Sequence, residues 1–389
     1  MTEIFHQLGF RYQWNLKSIE GEGTGDGAII APRYMPKEKV ISLPLSFRQK
    51  CFFDPQYYLP NSSSGKLSTY EFFPQVIADG FRTTEWTTEL AYQSAYECLE
   101  FQISCDFRYL VAPTRFREGM PSDYIESQTA LFVDPFINAY IDLGKPKPLL
   151  LQIILTDQML KDKSYITEVL NWVTGIQMIE GVYLIYQHTR THKQVEDIEF
   201  LLSVNHFIKS IKESGMVVVI GYMNTESIPL MCAEPDIITI GTYENMRIFN
   251  TLSFEGTSTD KKKMHGPNAR IYINKLLQWV EHDYLGAIER VVGDLKEFVA
   301  DNVHMVTMFE PSYEWYFSKP DPYLHYFVSF SDQFRRLSTH NSIDRVQLVK
   351  DECQSALDQY ERLERGGIVF DPNSGGRHLA SWLTYLNQR

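Results

Sequence analysis

Residues 149–155 read Leu149-Leu-Leu-Gln-Ile-Ile-Leu155, and three further apolar runs follow at 181–186, 216–222 and 236–241. Segments with the apolar periodicity of amphipathic helices separate these runs. Strands that are apolar along their whole length and alternate with helices are typical of a parallel sheet that is covered by helices on both faces. The stretch from 148 to 250 therefore predicts an α/β fold.

Two earlier segments, 49–54 and 108–113, have the same strand pattern, which brings the predicted parallel strands to six. We expect one further strand near 76–86 and another near 269–273 or 304–309. Eight strands would close a (β/α)8 TIM-like barrel, whereas six or seven would leave an open doubly wound sheet or an incomplete barrel. No Gly-x-Gly-x-x-Gly motif opens a helix after a strand, so the pattern favours the barrel. The predicted fold is an α/β TIM-like barrel, complete or incomplete, with a helical C-terminal extension.

The chain divides into three predicted regions. Residues 1–45 are predicted to form a glycine-rich extension outside the main sheet, residues 46–311 the barrel, and residues 312–389 a helical region that packs on the barrel. The glycines of the first region lie in Gly21-Glu-Gly-Thr-Gly-Asp-Gly27, which lacks the Gly-Lys-Ser/Thr ending of a phosphate-binding loop. We interpret this stretch as a surface loop or hairpin.

The composition is that of a folded protein with an acidic surface. The 389 residues are 44% hydrophobic and 22% charged, and the formal net charge is −12. This charge disfavours a surface that binds the phosphates of nucleic acids. No apolar run approaches the roughly 20 residues that cross a bilayer, and the N-terminal residues do not resemble a secretory signal. The five cysteines are scattered without a Cys-x-x-Cys pair, so we expect a cytoplasmic protein with no membrane association.

Polar side chains that directly follow the predicted strands are the candidate site residues, because the active site of a parallel barrel lies at the carboxyl ends of its strands. Carboxylates and a histidine at that edge are suited to acid–base or nucleophilic chemistry, and arginines are suited to holding an anion. The candidate catalytic residues are Asp54, Asp157 and His188. The candidate substrate-binding residues are Tyr57, Arg115, Asn224, Tyr243, Glu244 and Arg247.

The segment Gly241-Thr-Tyr-Glu-Asn-Met-Arg247 is the most suggestive of these groups. A glycine at a strand end lets the backbone approach a ligand closely, and Arg247 could hold a phosphate or a carboxylate. The alternative is structural: Glu244 would lie in the first turn of a helix, Arg247 would be exposed, and Asp157 would cap a helix. The sequence has no spacing typical of a metal site and no Gly-x-Ser-x-Gly nucleophile motif, and it identifies no cofactor.

The segment Tyr272-Ile-Asn-Lys-Leu-Leu-Gln-Trp279, which follows the barrel-like region, resembles the late helical part of tRNA-guanine transglycosylases. Those enzymes are TIM barrels, so the resemblance implies the same fold. It covers less than a tenth of the chain. The cysteine-rich zinc site of the family has no counterpart here, and we therefore carry over neither its function nor its site residues.

The first functional hypothesis is an enzyme that binds a small anionic or nucleobase-containing substrate at the C-terminal face of the barrel. Group transfer or hydrolysis is the expected reaction, because no signature of a redox cofactor is visible. Asp54 or Asp157 would act as the base or nucleophile, and His188 would donate or accept a proton. Arg115 and Arg247 would hold the anionic part of the substrate.

The second hypothesis is a non-catalytic or partner-dependent subunit of a larger protein assembly, or of a homo-oligomer. It is suggested by the lack of a strict catalytic motif and by aromatic clusters at 313–317 and 323–327. Such clusters can anchor a protein interface. They can equally pack the helical C-terminal region onto the barrel.

Overall fold

The computed structural model describes residues 1–60, 62, 65–77, 86–255 and 266–389. Eight short, largely buried strands form one parallel sheet. In chain order they are β1 (Glu3–Gln7), β2 (Gly27–Ile30), β3 (Cys51–Phe53), β4 (Leu110–Ala112), β5 (Leu149–Thr156), β6 (Gly181–Gln187), β7 (Val217–Ile220) and β8 (Ile237–Gly241).

The sheet is nearly closed into a barrel. Its strands follow the order β3-β2-β1-β8-β7-β6-β5-β4, and every neighbouring pair is parallel. A parallel bridge between Phe52 and Tyr109 joins β3 to the start of β4 across the remaining gap. The predicted (β/α)8 TIM-like barrel is confirmed.

The first two strands of the barrel lie within residues 1–45, so the prediction of an extension outside the sheet was wrong. The sequence signal is weak because β1 has only five residues and carries two adjacent polar side chains, His6 and Gln7. His6 is nevertheless fully buried. Its ring nitrogens lie 3.1 Å from Asn15 Nδ2 and 3.2 Å from Thr24 Oγ1, and these partners offset the cost of burying the ring.

Helices cover the barrel and form most of the C-terminal region. They are α1 (Tyr12–Glu22), α2 (Lys37–Ile41), α3 (Leu45–Arg48), α4 (Pro74–Ile77), α5 (Thr88–Ser104), α6 (Tyr124–Gln128), α7 (Asp134–Asp142), α8 (Asp157–Lys161), α9 (Lys163–Gly175), α10 (Ile198–Glu213), α11 (Ser227–Leu230), α12 (Leu285–Val292), α13 (Leu295–Phe298), α14 (Val303–Met308), α15 (Asp321–Ser338), α16 (Ser342–Arg365) and α17 (Arg377–Gln388). A π-helical turn at Thr129–Val133 connects α6 to α7. Within the described ranges, no helix combines the length and the apolar character that crossing a bilayer requires.

A hairpin follows the barrel, and its first strand lies where a strand was expected, near 269–273, but outside the barrel sheet. β9 (Arg270–Ile273) and β10 (Gln278–Glu281) pair antiparallel in a separate two-stranded sheet. The chain reverses between them at Leu277, whose φ of 51° lies in the left-handed region. The segment that resembles transglycosylases therefore lies in this hairpin.

The remaining strand predictions also need correction. The segment expected to be a strand near 304–309 is α14, whose N-terminus is capped by the Asn302 side chain. Of the expected strand near 76–86, residues 76 and 77 end helix α4 and residues 78–85 lie outside the described residues. The missing two strands of the barrel are instead β1 and β2.

The C-terminal helices pack directly on the barrel. The rings of His6 and Phe327 lie 4.6 Å apart, and the Ser331 hydroxyl donates to the Thr24 carbonyl at 2.6 Å. Farther along, the Trp382 indole N–H donates to the Val195 carbonyl at 3.0 Å. The clusters of aromatic residues in this region thus contribute to contacts within the chain.

The glycine-rich stretch connects α1 to β2. Gly23 ends α1 with a φ of 66°, which glycine adopts at little cost. At Gly27, which begins β2, a Cβ would lie 2.0 Å from the Lys50 carbonyl oxygen and 2.6 Å from the Phe5 ring. The stretch is therefore a largely exposed connection between α1 and β2, as expected of a surface loop, and not a separate hairpin.

Gly27→Ala should lower the free energy of unfolding by about 2 kcal/mol or more, because backbone atoms in two strands would have to move apart. Gly21→Ala is the matched control from the same stretch. Gly21 lies in α1, and a Cβ there would meet nothing within 4 Å, so alanine should raise the free energy of unfolding by about 0.5 kcal/mol. Urea denaturation measures both changes, and equal effects of the two substitutions would contradict the packing described at Gly27.

Candidate active site

Asp54 directly follows β3 and is fully buried inside the barrel. The Tyr58 hydroxyl donates a hydrogen bond to its Oδ2, and the Tyr183 hydroxyl lies 3.1 Å from the same oxygen. The backbone N–H of Gln56 donates to Oδ1 at 3.1 Å. Strands β3 and β6 thus bring a carboxyl group and two phenols together across the barrel.

Further polar side chains surround this group. The Gln56 side-chain amide donates to the Tyr222 hydroxyl at 3.1 Å, and the Gln7 Oε1 lies 3.4 Å from the Tyr183 hydroxyl. Burial, followed by the negative charge of Asp54, raises the pKa of Tyr58, Tyr183 and Tyr222 well above the usual value. The three phenols therefore stay protonated and act as hydrogen-bond donors.

Burial raises the pKa of Asp54 to about 6, although the hydrogen bonds from Tyr58, Gln56 and Tyr183 lower it. Among the described residues, no side chain forms an ion pair with this carboxyl group. A carboxyl group with a pKa in this range can both accept and donate a proton near neutral pH, which is the property that acid–base catalysis requires.

Two side-chain amide nitrogens near this cluster have no partner among the described residues. The side-chain nitrogens of Gln7 and Gln152 are buried and form no hydrogen bond with any described residue. The oxygen of Gln152, by contrast, accepts from the Thr114 backbone N–H at 3.1 Å. Buried amide donors without partners are costly, so they indicate positions where water or a ligand binds.

Aromatic side chains close the barrel above Asp54. Phe249 and Phe254, from the segment that follows β8, place their ring centroids 5.2 and 4.8 Å from that of Tyr58. Phe249 also contacts Tyr222, at 5.5 Å. This aromatic cover separates the Asp54 group from solvent.

A cleft of about 550 Å³ lies on the other side of this cover, between the segments that follow β6 and β8. Its lining includes the predicted catalytic residue His188, together with Gln187, His192, Lys193, Glu244 and Phe249. Phe249 thus belongs both to the cover of the Asp54 group and to the wall of the cleft. The lining is mainly polar, with an ion pair between Lys193 and Glu244.

Two of the predicted catalytic residues lie away from Asp54. The His188 ring packs at 4.4 Å on Phe200 of α10, and its Nε2 lies 3.7 Å from Asp197 Oδ2. Burial lowers the pKa of His188, and both ring nitrogens are inaccessible. Asp157 is the first residue of α8, and its Oδ2 lies 4.0 Å from Lys161 Nζ. The same Lys161 Nζ donates to Asp197 Oδ2 at 2.9 Å. Asp157 and His188 are therefore linked through an ion-pair cluster on the helical side of the sheet.

Tyr57 and Arg115, predicted to bind substrate, also point away from the Asp54 group. Tyr57 is buried in the outer layer, where its hydroxyl lies 2.8 Å from Ser94 Oγ. The Arg115 guanidinium lies 5.4 Å from the centre of the Phe132 ring, and burial lowers its pKa to about 10. Tyr58 faces the Asp54 group, whereas the neighbouring Tyr57 faces the outer layer.

The other predicted residues lie near the cleft. Glu244 lines it, and the Asn224 side-chain amide donates to the Lys193 carbonyl at 3.2 Å. Tyr243 packs at 5.1 Å on Tyr323 of α15. Arg247 is buried, with its guanidinium 4.0 Å from the centre of the Trp279 ring.

Several residues surround Asp54 as a hydrogen-bonded group that was not predicted from the sequence, namely Gln7, Gln56, Tyr58, Tyr183 and Tyr222. Gln7 was missed because β1 was not recognised as a strand. Tyr183 lies within an apolar run, and a tyrosine amid apolar neighbours is a usable signal for a hydroxyl that points into the barrel.

The described residues contain no group of three or more His, Cys, Asp and Glu side chains arranged to hold a metal ion. The five cysteines are buried free thiols.

Comparisons with known proteins find distant structural similarity. No protein-family profile matches the chain, and no curated protein matches it. Among solved structures, an alanine racemase of Clostridium difficile 630 in complex with cycloserine is similar, with a TM-score of 0.34 and 9% identity over 65% of this chain and 58% of the racemase chain. An L-ribulose 3-epimerase is also similar, with a TM-score of 0.36 and 9% identity over 88% of this chain and 99% of the epimerase chain. At this identity and TM-score the likeness carries no argument about activity.

Asp54→Asn should change how stability depends on pH. Because the pKa of Asp54 is about 6 in the folded state and 3.8 in the unfolded state, its contribution to stability is fully present below pH 3.8 and is lost as the pH rises through 6. The loss amounts to about 3 kcal/mol in the wild type and is absent in Asp54→Asn. Urea denaturation at about pH 4 and about pH 7.5 tests this, and parallel profiles for the two proteins would show that Asp54 titrates normally.

Proposed function

We propose that this protein is an enzyme that acts on a small polar molecule at the C-terminal face of the barrel, with Asp54 as its acid–base group. The observation that carries the proposal is a fully buried carboxyl group with a pKa of about 6, surrounded by tyrosine hydroxyls and without an ion pair among the described residues. Such a group destabilises the fold at neutral pH. A purely structural role would be served better by an uncharged residue.

The cleft beside this group has a size that suits a small-molecule substrate. Its volume of about 550 Å³ lies within the range of ligand pockets, and its lining offers both donors and acceptors. Group transfer or hydrolysis is the reaction class that these side chains support, since both need only proton transfer and hydrogen bonding from the protein. For a substrate in the cleft to reach Asp54, the Phe249 ring must move aside.

Tyr58 and Tyr183 have a defined role in this proposal. Their hydroxyls remain protonated and hold the Asp54 carboxylate in one orientation through Oδ2. They leave Oδ1 with the Gln56 N–H as its partner, so Oδ1 is the oxygen that would exchange a proton with the substrate. Asp157 and His188 have no role in this proposal. Asp157 belongs to the ion-pair cluster on the helical side of the sheet, and His188 lines the cleft but has both ring nitrogens buried.

Asp54→Asn should reduce turnover by about 100-fold to 10,000-fold, which is the usual contribution of general acid–base catalysis. The experiment compares the purified wild type with Asp54→Asn on a panel of phosphate esters, glycosides and nucleosides, with product formation followed by mass spectrometry. Tyr57→Phe is the control, because this neighbouring phenol faces the outer layer and should leave turnover unchanged. Equal turnover by Asp54→Asn and the wild type on a true substrate would refute the role of Asp54.

The alternative proposal is a non-catalytic or partner-dependent subunit of an assembly. It is favoured by the cover of Phe249 and Phe254, which encloses the Asp54 group completely in this conformation. Under this alternative, no member of the panel is converted and light scattering shows a stable oligomer or complex. Conversion of any compound by the wild type, with a loss of that activity in Asp54→Asn, would support the enzyme proposal over the assembly proposal.

A further inference from the structure

Arg247, in the segment that follows β8, is buried against the C-terminal region. Its guanidinium is stacked 4.0 Å from the centre of the Trp279 ring in β10 and lies 5.6 Å from the centre of the Tyr326 ring in α15. Only 7% of the residue is exposed. Burial lowers the pKa of Arg247, but an arginine stays charged in proteins.

Among the described residues, no carboxylate forms an ion pair with Arg247. Its Nε and Nη1 are buried and form no hydrogen bond there. The negative charge of Glu244 raises the pKa of Arg247, but Glu244 is ion-paired with Lys193. Arg270 also faces Arg247 and is itself paired with Glu281. A buried, unpaired cation is strongly unfavourable, so the site as described lacks a negatively charged partner.

The groups beside Arg247 also offer donors without partners. The Trp279 indole N–H and the Tyr326 hydroxyl are buried, and neither forms a hydrogen bond with a described residue. A nearby acceptor, Glu226, has Oε1 committed to Arg190 and Tyr186, each at 2.9 Å, while its Oε2 has no partner. The Arg190 charge offsets that of Glu226, so the balance at Arg247 remains positive.

We propose that Arg247, with Trp279 and Tyr326, holds the anionic group, phosphoryl or carboxylate, of the small molecule that the cleft admits. The guanidinium presents its N–H groups as a planar fork that matches both kinds of oxyanion, and the Trp279 ring fixes the plane of that fork. Glu244 and Ile248, on either side of Arg247 in the chain, line the cleft. This inference rests on the proposed function for the identity of the molecule, but the anion site itself can be tested without turnover.

The site joins the barrel to the C-terminal region. Arg247 comes from the barrel, whereas Trp279 and Tyr326 come from the hairpin and from α15. Binding of an anion would therefore stabilise the contact between the two regions as well as the ligand.

The test measures binding of inorganic phosphate and of acetate to the full chain by calorimetry, in chloride buffers of equal ionic strength. The wild type should bind at least one of the two anions, and Arg247→Met should weaken that binding at least about tenfold while keeping an apolar stem against Trp279. Tyr326→Phe removes a single hydroxyl and should weaken it about threefold to tenfold. Arg365→Met is the matched control, because Arg365 is an exposed arginine on α16 and its loss should leave binding unchanged.

Phosphate and acetate distinguish the two kinds of anionic group. Preference for phosphate indicates a phosphoryl group, and preference for acetate indicates a carboxylate. Absence of binding of both anions to the wild type, or equal binding by the wild type and Arg247→Met, would overturn the proposal. If Arg247→Met fails to fold, unchanged binding by Tyr326→Phe overturns it instead.

Asp54→Asn separates the two proposals. It should bind phosphate or acetate as the wild type does, because Asp54 belongs to the barrel interior and not to the Arg247 group. Arg247-dependent binding together with Asp54-independent turnover would refute the proposed function alone. Asp54-dependent turnover together with Arg247-independent anion binding would refute the anion site alone.

Discussion

Closure of the parallel sheet is the constraint on which the rest of this structure depends. A closed barrel has an interior without bulk water, so every polar group inside it must find partners on other strands. Asp54 follows β3, Tyr183 belongs to β6 and Gln7 to β1, and these three meet only because the sheet curves back on itself. The amide nitrogens of Gln7 and Gln152 have no hydrogen-bond partner among the described residues. Such buried donors favour the binding of water or a ligand in the interior.

The parts of the fold that could be predicted are those with long apolar runs. The strands at 149–156, 181–187 and 237–241 are buried on both faces, and their composition indicates a parallel sheet directly. β1 could not be found in this way because buried polar residues interrupt its apolar pattern, and β2 because it directly follows the glycine-rich stretch. A strand was expected near 269–273, but its antiparallel pairing with residues 278–281 was not, because the turn between them depends on a left-handed conformation of Leu277 that leucine rarely adopts.

The candidate site was predicted in part, for a related reason. Asp54 was identified because a carboxylate after an apolar strand is conspicuous. Its phenolic partners Tyr58 and Tyr183 were not identified, because a strand that is apolar on both faces does not reveal which side chains point inward. Gln56 has a positive φ of 57° and turns the chain just after β3. After this turn, the Tyr58 side chain points to the Asp54 group and the Tyr57 side chain to the outer layer. A backbone angle of that kind cannot be inferred from composition or periodicity.

The pairing of β1 with β8 has a consequence for how the chain folds. The Thr2 hydroxyl donates to the Pro235 carbonyl across 233 residues, and residues 3–7 are in register with residues 237–241. The first strand therefore cannot complete its hydrogen bonds until most of the barrel has been synthesised and ordered. Contacts between such distant segments must be formed against the entropy of a long loop, which slows folding. During synthesis on the ribosome, one edge of the N-terminal strand would stay unpaired until its partner strand, more than two hundred residues later in the chain, has been made.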